Sequence, residues 1–114
     1  MSVVIYHNPR CSKSRQTLAL LEEKNIQPEI VKYLETPPSI DELKTLMVQL
    51  GVSEVRDMMR TKEDIYKELE LKSADDETLF KAMVENPKLI ERPIVVANGK
   101  AKHGRPPEQV LDIL

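Results

Sequence analysis

The sequence predicts an α/β fold: a mixed four-stranded sheet made of a β-α-β half and a β-β-α half, with a helical insertion between them. Three observations carry this. Short β-branched runs stand near both ends, at Val3 to Tyr6 and at Ile94 to Ala97. Helical patterning fills the middle, residues 39 to 90. Asn98-Gly99 follows the last apolar run and is a strong hairpin signal, because a type I′ turn needs positive φ at both central positions. The chain has 114 residues, and we read residues 1–114 as one domain of ordinary size.

The elements follow in order. Val3 to Tyr6 reads as a short, fully buried strand that Asn8-Pro9 breaks. A helix starts at Cys11, with Thr17, Leu18 and Leu21 at helical spacing, and ends near Lys24-Asn25, where Asn tolerates a left-handed backbone. Glu29 to Tyr33 reads as a second strand with Lys32 facing solvent. Strand, helix, strand implies a parallel pair joined by a right-handed crossover. Ser39 to Glu42 forms a capping box for a helix through Leu43, Leu46 and Leu50, which Gly51 stops. Ser53, Thr61, and Asp75 or Asp76 are the expected caps of three further short helices, the last ending at Asn86-Pro87. Ile94 to Ala97 and Lys100 to His103 form the hairpin, and Pro106 or Pro107 opens a terminal helix. Strands from the two ends must share one sheet. This is the element order of a thioredoxin-like fold carrying an extra helical subdomain.

Composition narrows the function. Hydrophobic residues make up 40% of the chain, enough for one core, and the net charge of −2 offers no global attraction for nucleic acid or an anionic membrane. A bound anion must therefore be held by local arginines. One cysteine cannot form an intramolecular disulfide, and no apolar run is long enough to span a bilayer. The expectation is a cytoplasmic protein with no bound cofactor and no metal, since one Cys and two separated His supply no ligand cluster.

Cys11 stands at a strand-to-helix turn, where unpartnered N–H groups and the helix dipole favour a thiolate. Arg10, Lys13 and Arg15 add positive charge. The alternative is a small buried hydrophobe, the common fate of a lone cysteine. His7 reads as a polar neighbour of the thiol or as a hydrogen-bonded strand-end histidine. Arg60, Arg92 and Arg105 each stand at the end of an element, where planar guanidinium forks suit a tetrahedral oxyanion. A phosphatase-type loop would need Arg six residues after Cys11, where Thr17 stands, and a dithiol site would need Cys in place of Ser14.

Tyr6-His7-Asn8-Pro9-Arg10-Cys11, then Ser14-Arg15, Tyr33-Leu34-Glu35-Thr36-Pro37-Pro38, Glu91-Arg92-Pro93-Ile94-Val95-Val96 and Gly104-Arg105-Pro106 together resemble the ArsC family, the arsenate reductases that use glutathione and glutaredoxin. The resemblance implies that Cys11 is the nucleophile and that His7 favours its thiolate. It implies that Arg60, Arg92 and Arg105 bind the oxyanion, with Ser14 and Arg15 beside the substrate. It also implies a cis peptide before Pro93. Arsenate is then the substrate, glutathione the co-substrate and glutaredoxin the partner, and with no second cysteine the resolving thiol comes from outside. Two other readings stand beside this one: a non-enzymatic regulator of the Spx type that binds RNA polymerase, which resembles the chain at Arg92-Pro93-Ile94 but not at His7-Asn8-Pro9 or Arg105, and a thiol-dependent reductase acting on another small substrate.

Overall fold

A computed structural model describes residues 2–114. The chain forms β1 (Val3–Tyr6), α1 (Ser12–Glu23), β2 (Glu29–Val31), α2 (Ile40–Leu50), α3 (Asp64–Glu68), α4 (Asp76–Glu85), β3 (Ile94–Ala97) and β4 (Lys100–His103), with 3₁₀ segments at Val55–Met58, Leu71–Ser73, Pro87–Leu89 and Pro107–Ile113. The four strands form one mixed sheet in the order β2-β1-β3-β4. β1 runs parallel to β2, pairing Ile5 with Ile30, and antiparallel to β3, pairing Tyr6 with Ile94. β4 closes the hairpin, pairing Ile94 with His103. This is the thioredoxin-like arrangement expected from the element order.

The strand alternation splits the core in two. Val3, Ile5, Val95 and Ala97 pack with Leu21 of α1 and with Val110 and Ile113 of the terminal 3₁₀ segment. Ile94 and Ala101 face the other way, into a larger cluster with Leu43 and Leu46 of α2 and Leu79, Phe80 and Met83 of α4. The helical insertion therefore covers one face of the sheet, and α1 with the C-terminal segment covers the other.

Local chemistry sets the element ends. Ser39 Oγ accepts from Glu42 N–H at 3.1 Å and Glu42 Oε1 accepts from Ser39 N–H at 3.2 Å, which completes the capping box. Gly51 ends α2 at φ 72°, and Asn98 and Gly99 turn the hairpin at φ 55° and 74°. Asp75 caps α4, with Thr78 N–H donating to Oδ1 at 2.9 Å.

Several expectations change. β1 is not fully buried, because Val4 and Tyr6 line an open groove beside Glu42 and Leu46. β2 ends at Val31 and is an edge strand, so Ile30 is 47% exposed. Ser53 and Thr61 cap nothing: the Val55–Met58 segment is 3₁₀ and α3 starts after Glu63. The terminal helix is 3₁₀, with Pro107 at its first position.

Arg56 holds the broken part of the insertion. Its Nη2 donates to the carbonyls of Leu71, Lys72 and Ala74 at 2.8, 3.0 and 3.0 Å, and its Nε donates to Tyr66 Oη at 3.0 Å. One planar fork thus satisfies carbonyls at and just after the Leu71–Ser73 turn. Arg56→Lys keeps the charge but loses the fork. It should lower the unfolding free energy by about 2 kcal/mol, seen as a lower urea midpoint at unchanged slope. A midpoint equal to the wild type would show that the guanidinium does not hold this region.

Candidate active site

The topology gathers the chemistry at one end of the sheet. β1 and β2 are parallel, so their C-terminal ends lie side by side, carrying the thiol loop and Tyr33. β3 is antiparallel to β1, so its N-terminal end, preceded by Arg92 and Pro93, sits beside the same loop. β4 runs back toward that end and delivers Arg105. His7 N–H donates to Val31 O at 2.8 Å and fastens the loop to β2.

Within the loop, Cys11 is the N-cap position of α1 and its N–H donates to Asn8 O at 3.0 Å. The first intrahelical donor is Arg15 N–H, to Cys11 O at 3.0 Å. The N–H groups of Ser12, Lys13 and Ser14 therefore lie at the open end of the helix. No side chain caps this helix and its first turn holds no acid, unlike α2 and α4. An anion placed there meets no competing carboxylate on the helix itself. Cys11 is a free thiol and 8% exposed.

Arg105 reaches this thiol. Its Nη2 lies 3.8 Å from Cys11 Sγ. Its Nε donates to Arg92 O at 2.8 Å and pairs with Glu91 Oε1 at 3.0 Å. The same Glu91 oxygen accepts from Arg92 N–H at 3.2 Å. The Arg105–Glu91 pair is partly exposed, so its main effect is to orient the guanidinium rather than to stabilise the fold. The Arg92–Pro93 and Arg105–Pro106 peptides are both cis. Gly104 N–H donates to Pro93 O at 3.0 Å. A Cβ at Gly104 would collide with Thr17 Oγ1 and stand 2.7 Å from Pro93 Cγ, so the close approach of β4 to α1 requires glycine there.

Arg60 is tied to the same region through the backbone. Its N–H donates to Leu89 O at 2.7 Å, Glu91 N–H donates to Met58 O at 2.9 Å, and Met59 bridges to Ile90. Its side chain pairs with Glu63 at 3.3 Å. Ser14 and Arg15 serve the loop itself. Ser14 Oγ is buried, shares a 2.6 Å hydrogen bond with His7 Nδ1 and accepts from Asn8 N–H at 3.0 Å. Arg15 Nη1 donates to Pro9 O at 2.9 Å.

Burial lowers the pKa of His7, and the charges of Lys32 and Arg15 lower it further, so its imidazole is neutral at pH 7. His7 thus braces the loop through Ser14, while the guanidinium seen beside the sulfur is that of Arg105. Burial also lowers the pKa of His103, with Arg105 acting in the same sense and Glu91 against it.

Two side chains in the site had no assigned role in the sequence reading. Glu91 orients Arg105. Tyr33, 1% exposed, has Cys11, Arg60 and Glu91 as electrostatic neighbours. Both stand inside segments that carry the family resemblance, and that was the available signal.

The family model described as "ArsC family" matches residues 6–113. The chain is 58% identical to an arsenate reductase of Haemophilus influenzae over the whole of both chains. It is 61% identical to the uncharacterised protein YfgD of Escherichia coli K12, covering 98% of this chain and 96% of that one. The solved structure of an arsenate reductase from Vibrio cholerae superposes with a TM-score of 0.98 at 68% identity, covering 100% of this chain and 98% of the other.

The histidines give a test of this electrostatic picture. Both resist in the fold a proton that the unfolded chain accepts near pH 6.5. Stability is therefore complete above that pH and falls as the pH drops through it toward the lowered folded values. The urea midpoint should be lower at about pH 5.5 than at about pH 7.5, a range above that of ordinary carboxylates. A His7→Asn, His103→Gln double variant should show a shallower fall. An equal fall in both proteins would contradict the assignment.

Proposed function

The chain belongs to the ArsC family, and we propose that it reduces arsenate to arsenite through the single thiol of Cys11, with glutathione and glutaredoxin as external reductants. The observation that carries this reading is the Arg105 guanidinium held 3.8 Å from the only thiol of the chain, at an uncapped helix start. The name borne by its relatives supports arsenate as the substrate.

The residues divide the work. Arg60, Arg92 and Arg105 neutralise the oxyanion, and the open N–H groups of α1 add donors without adding mobile charge. The Cys11 thiolate attacks arsenic(V), an arsenate oxygen leaves as water, and a sulfur–arsenic bond forms. His7 and Ser14 keep the loop fixed under that attack, and Arg15 holds it at Pro9. A glutathione thiolate then attacks the Cys11 sulfur. The sulfur–arsenic bond breaks, its electron pair stays on arsenic as arsenite, and Cys11 is left as a mixed disulfide. Glutaredoxin removes the glutathionyl group by thiol exchange, returning the thiol of Cys11. No resident cofactor enters these steps, and the glutathione pool of the cytoplasm supplies the electrons.

Wild-type protein should oxidise NADPH in an arsenate-dependent manner when mixed with glutathione, glutathione reductase and glutaredoxin, and Cys11→Ser should abolish it. Replacing arsenate by phosphate should give no oxidation, because phosphorus(V) is not reduced by thiols. A wild-type protein without arsenate-dependent turnover would overturn the reading. It would leave a thiol acting on another small substrate, or a polymerase-binding regulator detectable by capture of the polymerase α subunit.

A further inference from the structure

We propose that the Tyr33 hydroxyl is a substrate-contacting hydrogen-bond donor, aimed at one oxygen of the oxyanion held beside Cys11. The inference rests on the reading that an oxyanion binds at this thiol.

Tyr33 lies two residues past the end of β2, at the same end of the sheet as the thiol loop. A tight turn follows β2, with Glu35 and Thr36 N–H both donating to Lys32 O at 2.9 Å. This turn leaves Lys32 and Leu34 exposed and sends Tyr33 inward. The ring joins the large core cluster with Leu43, Met58 and Ile90.

Packing explains the ring and leaves the hydroxyl unexplained. Tyr33 Oη is inaccessible to solvent and has no hydrogen-bond partner among the described residues. The Asn8 side chain acts on the hydroxyl in the sense that favours the ionised form, as a donor toward Oη does, and it gives the O–H itself no acceptor. A buried hydroxyl with no partner is uncommon and costly, and phenylalanine would fill the same space without that cost. The charged groups that act on it electrostatically are those of the site: Cys11, Arg60 and Glu91. Arg92 Nε and His103 Nε2 are likewise buried with no partner among the described residues. An unpaired donor in this setting fits a ligand that brings acceptor oxygens.

The phenol also adds something the arginines do not. Burial pushes its pKa well above the ordinary value, with Cys11 and Glu91 acting in the same sense and Asn8 and Arg60 against it. It therefore remains a neutral donor at any working pH. Guanidinium charge attracts any anion over a distance, whereas a fixed hydroxyl rewards only an oxygen within hydrogen-bond reach. The expected effect of Tyr33 is selection for a tetrahedral oxyanion over a spherical anion such as chloride.

The test measures protection of the Cys11 thiol in the full-length protein. Iodoacetamide, a neutral reagent, alkylates Cys11 while arsenate, and separately inorganic phosphate, is titrated in without glutathione. With Tyr33→Phe, the oxyanion concentration giving half-protection should rise about tenfold. Chloride protection should not change, and neither should the alkylation rate without added anion. The urea midpoint should be equal or higher, because an unpaired buried hydroxyl is removed. An unchanged half-protection concentration would overturn the proposal. A slower alkylation rate without anion would also overturn it, since the hydroxyl would then serve the thiolate. A lower midpoint would assign it a structural hydrogen bond instead, and a wild type unprotected by either oxyanion would remove the premise. If protection shifts as expected but arsenate turnover is absent, the reductase reading fails and this inference stands. If turnover is present without the shift, the reverse holds.

Discussion

The approach of Arg105 to Cys11 joins positions near opposite ends of the chain. A 3.8 Å contact between Arg105 Nη2 and the sulfur exists only if the loop after β1 and the segment after β4 meet. That meeting is a property of the sheet. β1 pairs with β3 in antiparallel register, Tyr6 opposite Ile94, and β4 pairs His103 with the same Ile94. Shifting either register by one residue would turn the core side chains toward the wrong face. The buried alternation of Ile94, Val95, Val96 and Ala97 therefore sets not only the core but also the position of the guanidinium. Gly104 is part of the same constraint, because any side chain there would push β4 away from Thr17 and Pro93.

Around that contact the charges are arranged by subtraction as much as by addition. The start of α1 has no acidic residue and no side-chain cap, while α2 and α4 have both. The nearby carboxylate, Glu91, is engaged by Arg105 Nε and Arg92 N–H. His7 is neutral and spends its Nδ1 on Ser14. Beside the sulfur stand an oriented cation and the open start of α1, a setting for a thiolate and an incoming oxyanion. The buried Tyr33 hydroxyl, unpaired among the described residues, continues the same pattern.

Much of this was legible in the residues. Short β-branched runs, the Asn98-Gly99 turn, the Ser39 capping box and the Gly51 stop all act locally, so spacing alone reports them. The cysteine at a strand-to-helix turn was legible for the same reason. Arg56 was not, because its bonds to residues 66 to 74 depend on how three short segments fold back on it. Ser53 and Thr61 look like caps in isolation, but packing of Val55, Met58 and Tyr66 into the core set the actual helix starts. Glu91 and Tyr33 acquire meaning only once the two halves of the sheet are joined. Composition cannot state which way a buried hydroxyl points. Motif resemblance marked their segments without giving either residue a task.

The central claim is that Cys11 is a nucleophile whose product with arsenate is resolved by an outside thiol. The most direct measurement is the mass of the peptide bearing Cys11 after a single turnover. The protein would be incubated with glutathione, with and without arsenate, and with glutaredoxin omitted. The account predicts one glutathionyl group on Cys11, formed in the presence of arsenate and removed when glutaredoxin is added. An unmodified Cys11 after arsenate treatment, or the same modification at the same rate without arsenate, would contradict it.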